Sequence, residues 1–167
     1  MNPIVLIGPP GAGKSTIGKA LARTMDLKFI DTDQEIERKT GKKIAEIFLE
    51  DGEIEFRKIE KDVVLEALKE VDAVISLGGG SVLDLETQER LRDLKDVVFL
   101  DVSISNAAPR VGFNRERPLL LGNPRQQWLQ LMEKRRPIYE TLAKKVVSTD
   151  NRKVNEVVAE LVGEFKA

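Results

Sequence analysis

The sequence predicts an α/β fold, three layers deep, built on a parallel sheet. Three observations carry that expectation. Short apolar runs alternate with amphipathic segments of helical length, a glycine-rich loop follows the first run directly, and a carboxylate-bearing and a glycine-bearing turn close the next two. Strands that alternate with helices make βαβ units, whose helices cover both faces of a parallel sheet.

The first strand is IVLI (4–7), and a helix at 14–25 follows the loop behind it. KFI (28–30), AVISL (73–77), VVFLD (97–101) and KVVS (145–148) supply the other strands, and the remaining helical segments are 34–39, 43–50, 53–70, 86–94, 103–112, 125–142 and 153–165. Along 53–71, Ile54, Ile59, Val63, Ala67 and Val71 roughly follow helical spacing with charges between them, as an apolar stripe would. Two stretches break the alternation. Residues 33–70 hold more helix than one crossover requires, and 112–124, GFNRERPLLLGNP, is rich in turn residues and arginine, which suits a mobile loop. Pro109 disfavours helical geometry at Ala108, so segment 103–112 either begins its helix at Pro109 or bends there.

At 167 residues the chain fits one domain, residues 1–167, with a core of its own. Its 27 basic and 28 acidic side chains leave a net charge of −1, which favours neither nucleic acid nor a membrane surface as partner. No apolar run approaches the about 18 residues a membrane span needs, and the N-terminus lacks a signal-peptide pattern, so a cytoplasmic protein is expected. There is no cysteine and no histidine. Disulfides, thiolate or imidazole metal sites and Ser-His-Asp triads are thereby excluded, and a bound metal must be a hard cation held by oxygens. A catalytic base must be a carboxylate, a lysine or a tyrosine.

GPPGAGKST (8–16) places Gly8, Gly13, Lys14 and Ser15 in the spacing G-x-x-x-x-G-K-[ST], between a strand and an amphipathic segment. Glycines let backbone N–H groups turn inward around phosphate oxygens at the positive end of the following helix. Gly11, Ala12, Gly13, Lys14, Ser15 and Thr16 are thus the candidates for holding a nucleoside triphosphate, with Lys14 reaching the β- and γ-phosphates and the Ser15 hydroxyl on Mg²⁺. Asp31-Thr32-Asp33 follows the second strand at the rim where parallel sheets bind ligands. One carboxylate can orient a magnesium ion's waters while the other reaches an acceptor hydroxyl, or Asp33 only caps the helix behind it. The three consecutive glycines of LGGGSV (77–82) offer no side chain to pack, so the segment is either a close approach of backbone to ligand or a plain loop. Arg57, Arg117 and Arg135 are candidate anion clamps or solvated surface charges, and Arg57 has Glu53 and Glu60 within helical reach.

GxxGxGKST, DTDxxIE, DGExxFRxxE, LGGGSV, RPLL and RxPxY, in this order and spacing and along almost the whole chain, resemble the shikimate kinase family. The resemblance implies a P-loop kinase with five parallel strands in the order 2-3-1-4-5, a helical substrate-binding region at about 33–61 and a lid at about 112–124. It implies transfer of the ATP γ-phosphoryl group to the 3-hydroxyl of shikimate, a step toward aromatic amino acids, by a monomer. Lys14, Ser15 and the loop glycines would hold ATP and Mg²⁺, and Asp31 would bind the metal through water. Asp33 would contact the shikimate hydroxyls and act as base, Arg57 and Arg135 would clamp its carboxylate, and Gly78, Gly79 and Gly80 would line the pocket. Arg117 would close over the phosphates, Arg110 and Arg152 would lie near adenine with Asn151, and Phe48, Phe56 and Glu60 would shape the substrate-binding helices. A kinase for another hydroxy acid such as gluconate, and an inactive nucleotide-binding module, are the competing readings; DTD with LGGG and RPLL speaks against the first, and the completeness of the motif set against the second.

Overall fold

IVLI has nothing but hydrocarbon to present, and Ile4–Ile7 (β1) is buried residue for residue in the centre of the sheet. The computed structural model describes residues 1–111 and 123–166, and Val111 by its backbone only. Five strands run parallel in the order β2-β3-β1-β4-β5, with β2 at Lys28–Asp31, β3 at Ala73–Ser76, β4 at Asp96–Asp101 and β5 at Lys145–Ser148. β1 pairs Val5 with Ile75 on one side and with Val97 on the other, and β2 pairs Asp31 with Ser76. Because all strands point the same way, the loops after β1, β2 and β3 open on one rim.

The helices are α1 (Lys14–Met25), α2 (Thr32–Thr40), α3 (Ile44–Ala67), α4 (Leu85–Asp93), α5 (Ile104–Val111), α6 (Pro124–Leu142) and α7 (Val154–Lys166). The buried side chains fall into two clusters. The large one joins the sheet to α1, α6 and α7, and includes Leu6, Leu21, Val74, Phe99, Tyr139 and Leu161. A separate small one, Ile36, Ile44, Ile47, Phe56 and Val63, holds α2 to α3. The surplus helix between the second and third strands therefore has a core of its own.

Several boundaries differ from the expected ones. The expected segments 43–50 and 53–70 do form as two helices, which meet along α3 at a kink at Gly52, whose φ of 85° and ψ of 167° no helix contains. Ile54 in α3 and Val71 beyond its end do not join the apolar stripe: they are 78% and 58% exposed, while Phe56, Val63, Val64 and Ala67 face inward. A 3₁₀ turn at Ser81–Leu83 follows the triple glycine. Helix α5 does not start at Pro109; it begins at Ile104 with Pro109 inside, so the proline's missing N–H falls in the helix interior. The expected lid lies, apart from Asn123 and Pro124, outside the described residues, and Arg117 lies there with it. Among the described residues no helix is long and apolar enough to cross a membrane.

Candidate active site

The loop behind β1 is shaped by glycine. Gly8, Gly11 and Gly13 have φ of 147°, 86° and 91°, the left-handed region that other residues avoid. Gly13 ends the loop as the N-cap of α1, no side chain caps that helix, and no carboxylate stands in its first turn. Its positive end is thus presented to the loop. Lys14 reaches back over the loop, its Nζ donating to the carbonyls of Gly8 at 2.8 Å and Pro9 at 2.9 Å.

The three residues of DTD face three ways. Asp31 is buried, and its Oδ1 accepts from the N–H groups of Asp33 at 2.9 Å and Gln34 at 3.3 Å, making it the N-cap of α2. Its Oδ2 accepts from the Ser15 hydroxyl at 2.5 Å. The cap is therefore Asp31, and Asp33 stands inside the first turn of α2, which leaves its carboxylate to another task. Thr32, fully buried, donates its hydroxyl to the Ser76 carbonyl and accepts from the Gly78 N–H, both at 3.2 Å. That clasp, not singled out from the sequence, ties the end of β2 to the triple glycine.

Each glycine of that triple meets one of the expected substrate residues. A Cβ on Gly78 would lie 2.7 Å from Asp33 Oδ1 and 3.1 Å from Glu60 Oε2. On Gly79 it would lie 3.4 Å from Arg135 Nη1, and on Gly80 2.5 Å from Arg57 Nη1. Three consecutive positions thus gather two guanidinium groups and two carboxylates around a strip of bare backbone. A methyl group at Gly78 or Gly80 would intrude on them.

Arg57 is held for its place. Its Nη1 donates to Glu60 Oε1 at 2.8 Å, Glu53 lies 3.6 Å away, and the guanidinium stands 5.3 Å from the centre of the Phe56 ring, which packs on Phe48. So the helical pairing with Glu53 and Glu60 does form, but on the pocket side. Glu60 is 4% exposed, and burial pushes its carboxyl above the usual carboxylate range, with the charge of Asp33 adding to the rise and Arg57 opposing it. A cavity of about 250 Å³ adjoins this group, lined by Arg57, Glu60, Lys61, Ser81, Leu83 and Thr87 among others. Arg135 is only 5% exposed, so it is no solvated surface charge.

The remaining arginines lie by the loop after β5. Arg110 donates from Nη1 to the Gly11 carbonyl at 3.1 Å and from Nη2 to the Thr149 carbonyl at 3.1 Å, joining that loop to the phosphate loop. Arg152 donates to the Ser148 carbonyl and pairs with Glu160 at 3.0 Å. Asn151 next to it has φ of 55°, and its N–H reaches Asn106 Oδ1. Beneath the rim, Tyr139 donates its hydroxyl to the Gly79 carbonyl at 2.6 Å and Trp128 donates Nε1–H to the Pro10 carbonyl at 3.0 Å. Arg136 grips Asp101 through two bonds of 2.8 and 3.0 Å.

Ser15 and Asp31 converge as hard oxygen donors, and among the described residues no group of three or more acidic side chains is arranged to hold a metal ion. That donor set fits Mg²⁺, which keeps most of its waters and takes only one or two protein oxygens besides those of a phosphate.

A family model described as shikimate kinase matches residues 10–166. The shikimate kinase of Rhodococcus erythropolis is 47% identical over 163 residues, 97% of this chain and 96% of its own length. That of Thermobifida fusca is 49% identical over 158 residues, 95% of this chain and 91% of its own. Among solved structures, the shikimate kinase of Acinetobacter baumannii in complex with shikimate superposes with a TM-score of 0.95 at 33% identity, covering 99% of this chain and 93% of that one.

Proposed function

The chain belongs to the shikimate kinase family and phosphorylates shikimate with ATP, and on that premise we propose how its residues divide the work. The observation that carries the proposal is the triple glycine, whose three bare positions abut Asp33, Arg135 and Arg57 in turn. A small acceptor with one carboxylate and several hydroxyls needs such a set: guanidinium forks for the acid end and one carboxylate for the hydroxyls.

Arg57 and Arg135 grip the shikimate carboxylate from the flanks of Gly80 and Gly79. Asp33 accepts hydrogen bonds from the ring hydroxyls and takes the proton of the 3-hydroxyl. As that proton leaves, the hydroxyl oxygen forms its bond to the γ-phosphorus and the bond from phosphorus to the bridging oxygen of ADP breaks. Gly11 to Thr16 surround the phosphates with N–H groups, and the Lys14 ammonium moves from the Gly8 and Pro9 carbonyls to the phosphate oxygens. Ser15, directly, and Asp31, through water, would hold Mg²⁺, which would supply positive charge against the charge that gathers on the phosphate oxygens. Arg117, which lies outside the described residues, is assigned to stabilising charge on the phosphates in transfer. Arg110 and Arg152 border the adenine. The protein works as a monomer in the cytoplasm, without nucleic acid or membrane partners. Positioning and charge stabilisation dominate phosphoryl transfer, so a site with no histidine is adequate.

The test is ADP release with Mg·ATP, coupled to a spectroscopic assay, with shikimate, gluconate or no acceptor. Turnover with shikimate alone is expected. Turnover with gluconate would overturn the pocket assignment, and ADP release without acceptor would make the chain a nucleotide hydrolase.

A further inference from the structure

Phosphoryl transfer requires donor and acceptor to be held in line at reacting distances of roughly 3–3.5 Å, and in the site proposed above loops from two different βα connections hold them. Helix α6 touches both. Trp128, the only tryptophan and 2% exposed, bonds the Pro10 carbonyl in the phosphate loop. Tyr139, fully buried, bonds the Gly79 carbonyl in the acceptor loop. They are eleven residues apart, close to three whole turns, so both project from one face of α6. Met132 and Arg135, also buried, lie between them on that face. The helix is tied to the sheet beside that face as well, since Arg136 binds Asp101 at the end of β4 through both carboxylate oxygens.

The two loops also press on each other where α6 holds them. A Cβ on Gly79 would lie 3.3 Å from Pro10 Cδ and 3.4 Å from the Gly8 carbonyl oxygen. Pro10 has no N–H, so its carbonyl is the one polar handle by which that residue can be held. The two rings and the loop contact close a three-sided frame.

We propose that α6 is a gauge that sets the separation of the phosphate loop from the acceptor loop, with Trp128 and Tyr139 as positioning residues for phosphoryl transfer. This rests on the transfer reaction proposed above. Removing either bond lets one loop shift against the other, which misplaces the γ-phosphorus from the acceptor oxygen without removing any group that touches a substrate. Both substrates still bind; the ternary complex reacts slowly.

The experiment is a double-mutant cycle on kcat with Trp128→Phe, Tyr139→Phe and the pair, together with calorimetric affinities for ADP and shikimate. Each single change is expected to lower kcat about tenfold and to move either affinity by less than about threefold, since a shift well under 1 Å suffices. The pair is expected to lower kcat by about twentyfold at most, because a frame opened at one side loses little more when opened at another. A pair that multiplies to about a hundredfold would show two independent local contacts and overturn the gauge. Unchanged kcat with a lowered Tm would reduce both residues to core packing and overturn it too. Should Trp128→Phe fail to fold, benzothienylalanine at 128 keeps the bicyclic ring and lacks only the N–H donor; wild-type kcat in that protein would also be fatal. If the unaltered chain turned over a different acceptor, the substrate assignment would fall, and the same cycle read with that acceptor would still judge the gauge.

Discussion

A Cβ on Gly80 would stand 2.5 Å from Nη1 and 2.6 Å from Nη2 of Arg57. A Cβ on Gly8 would meet something at the same 2.5 Å, but there it is the backbone carbonyl oxygen of Leu100, and Gly8 carries a φ of 147°. The first obstacle is the tip of a long side chain that can swing aside; the second is part of β4. Gly80→Ala should therefore leave stability within about 1 kcal/mol while displacing Arg57, raising KM for shikimate tenfold or more, as roughly expected when a charged clamp is lost, and sparing KM for ATP. Gly8→Ala should cost about 2–3 kcal/mol through strain at the loop. Thermal unfolding and steady-state kinetics on the two variants check both; an unstable Gly80→Ala protein would refute the contrast.

Asp33 stands in the first turn of α2 without being its cap. Asp33→Asn should accordingly retain fold and nucleotide affinity while lowering kcat by roughly 10²–10⁴-fold, the usual range for a lost general base. Wild-type turnover in this variant would remove Asp33 from the chemistry.

Asp31 has two tasks that substitutions can separate. Asparagine caps helices as well as aspartate does but carries no charge, so Asp31→Asn should keep Tm and raise the Mg²⁺ concentration needed for half-maximal rate. Asp31→Ala should do both harms, losing about 0.5–2 kcal/mol with the cap. Equal Mg²⁺ dependence in wild type and Asp31→Asn would confine Asp31 to capping.

Glu60 gives the protein a pH dependence. Its carboxyl, buried first of all and next to Asp33, is raised above its ordinary 4.5, so the folded state binds this proton more tightly than the unfolded chain. Its contribution to stability is full below 4.5 and is lost as pH rises through the folded-state value. Glu60→Gln removes that titration. Urea unfolding over a pH series should show wild type losing stability relative to the variant as pH rises through this window, then holding a constant difference. Parallel curves at every pH would contradict the account.

Much of the site can be read from the chain itself because its motifs are local. GPPGAGKST implies its own loop and helix start, and hydrophobic period separates strands from helices without knowledge of neighbours. The identity of the residues at the rim followed too, since a parallel sheet brings the ends of β1, β2 and β3 to one side. What local pattern could not settle was which way each side chain turns. Whether Asp31 or Asp33 caps α2 depends on where β2 leaves the sheet, and the pairing of Asp31 with Ser76 decides it. Whether Glu60 and Glu53 keep Arg57 at the surface or on the pocket side depends on the separate small core under α3.

Thr32, Trp128 and Tyr139 mark the limit most clearly. Their bonds run to carbonyls 44, 118 and 60 residues away, and a hydroxyl or an indole N–H carries no sign in the sequence of the carbonyl it will meet. The chain alone determined the order of strands and helices and the residue types at the phosphate and acceptor loops, because these follow from neighbours in sequence. The packing of α6 against two distant loops was decided only by the tertiary structure, because a buried donor takes its partner from whichever backbone the closed core brings within 3 Å or so.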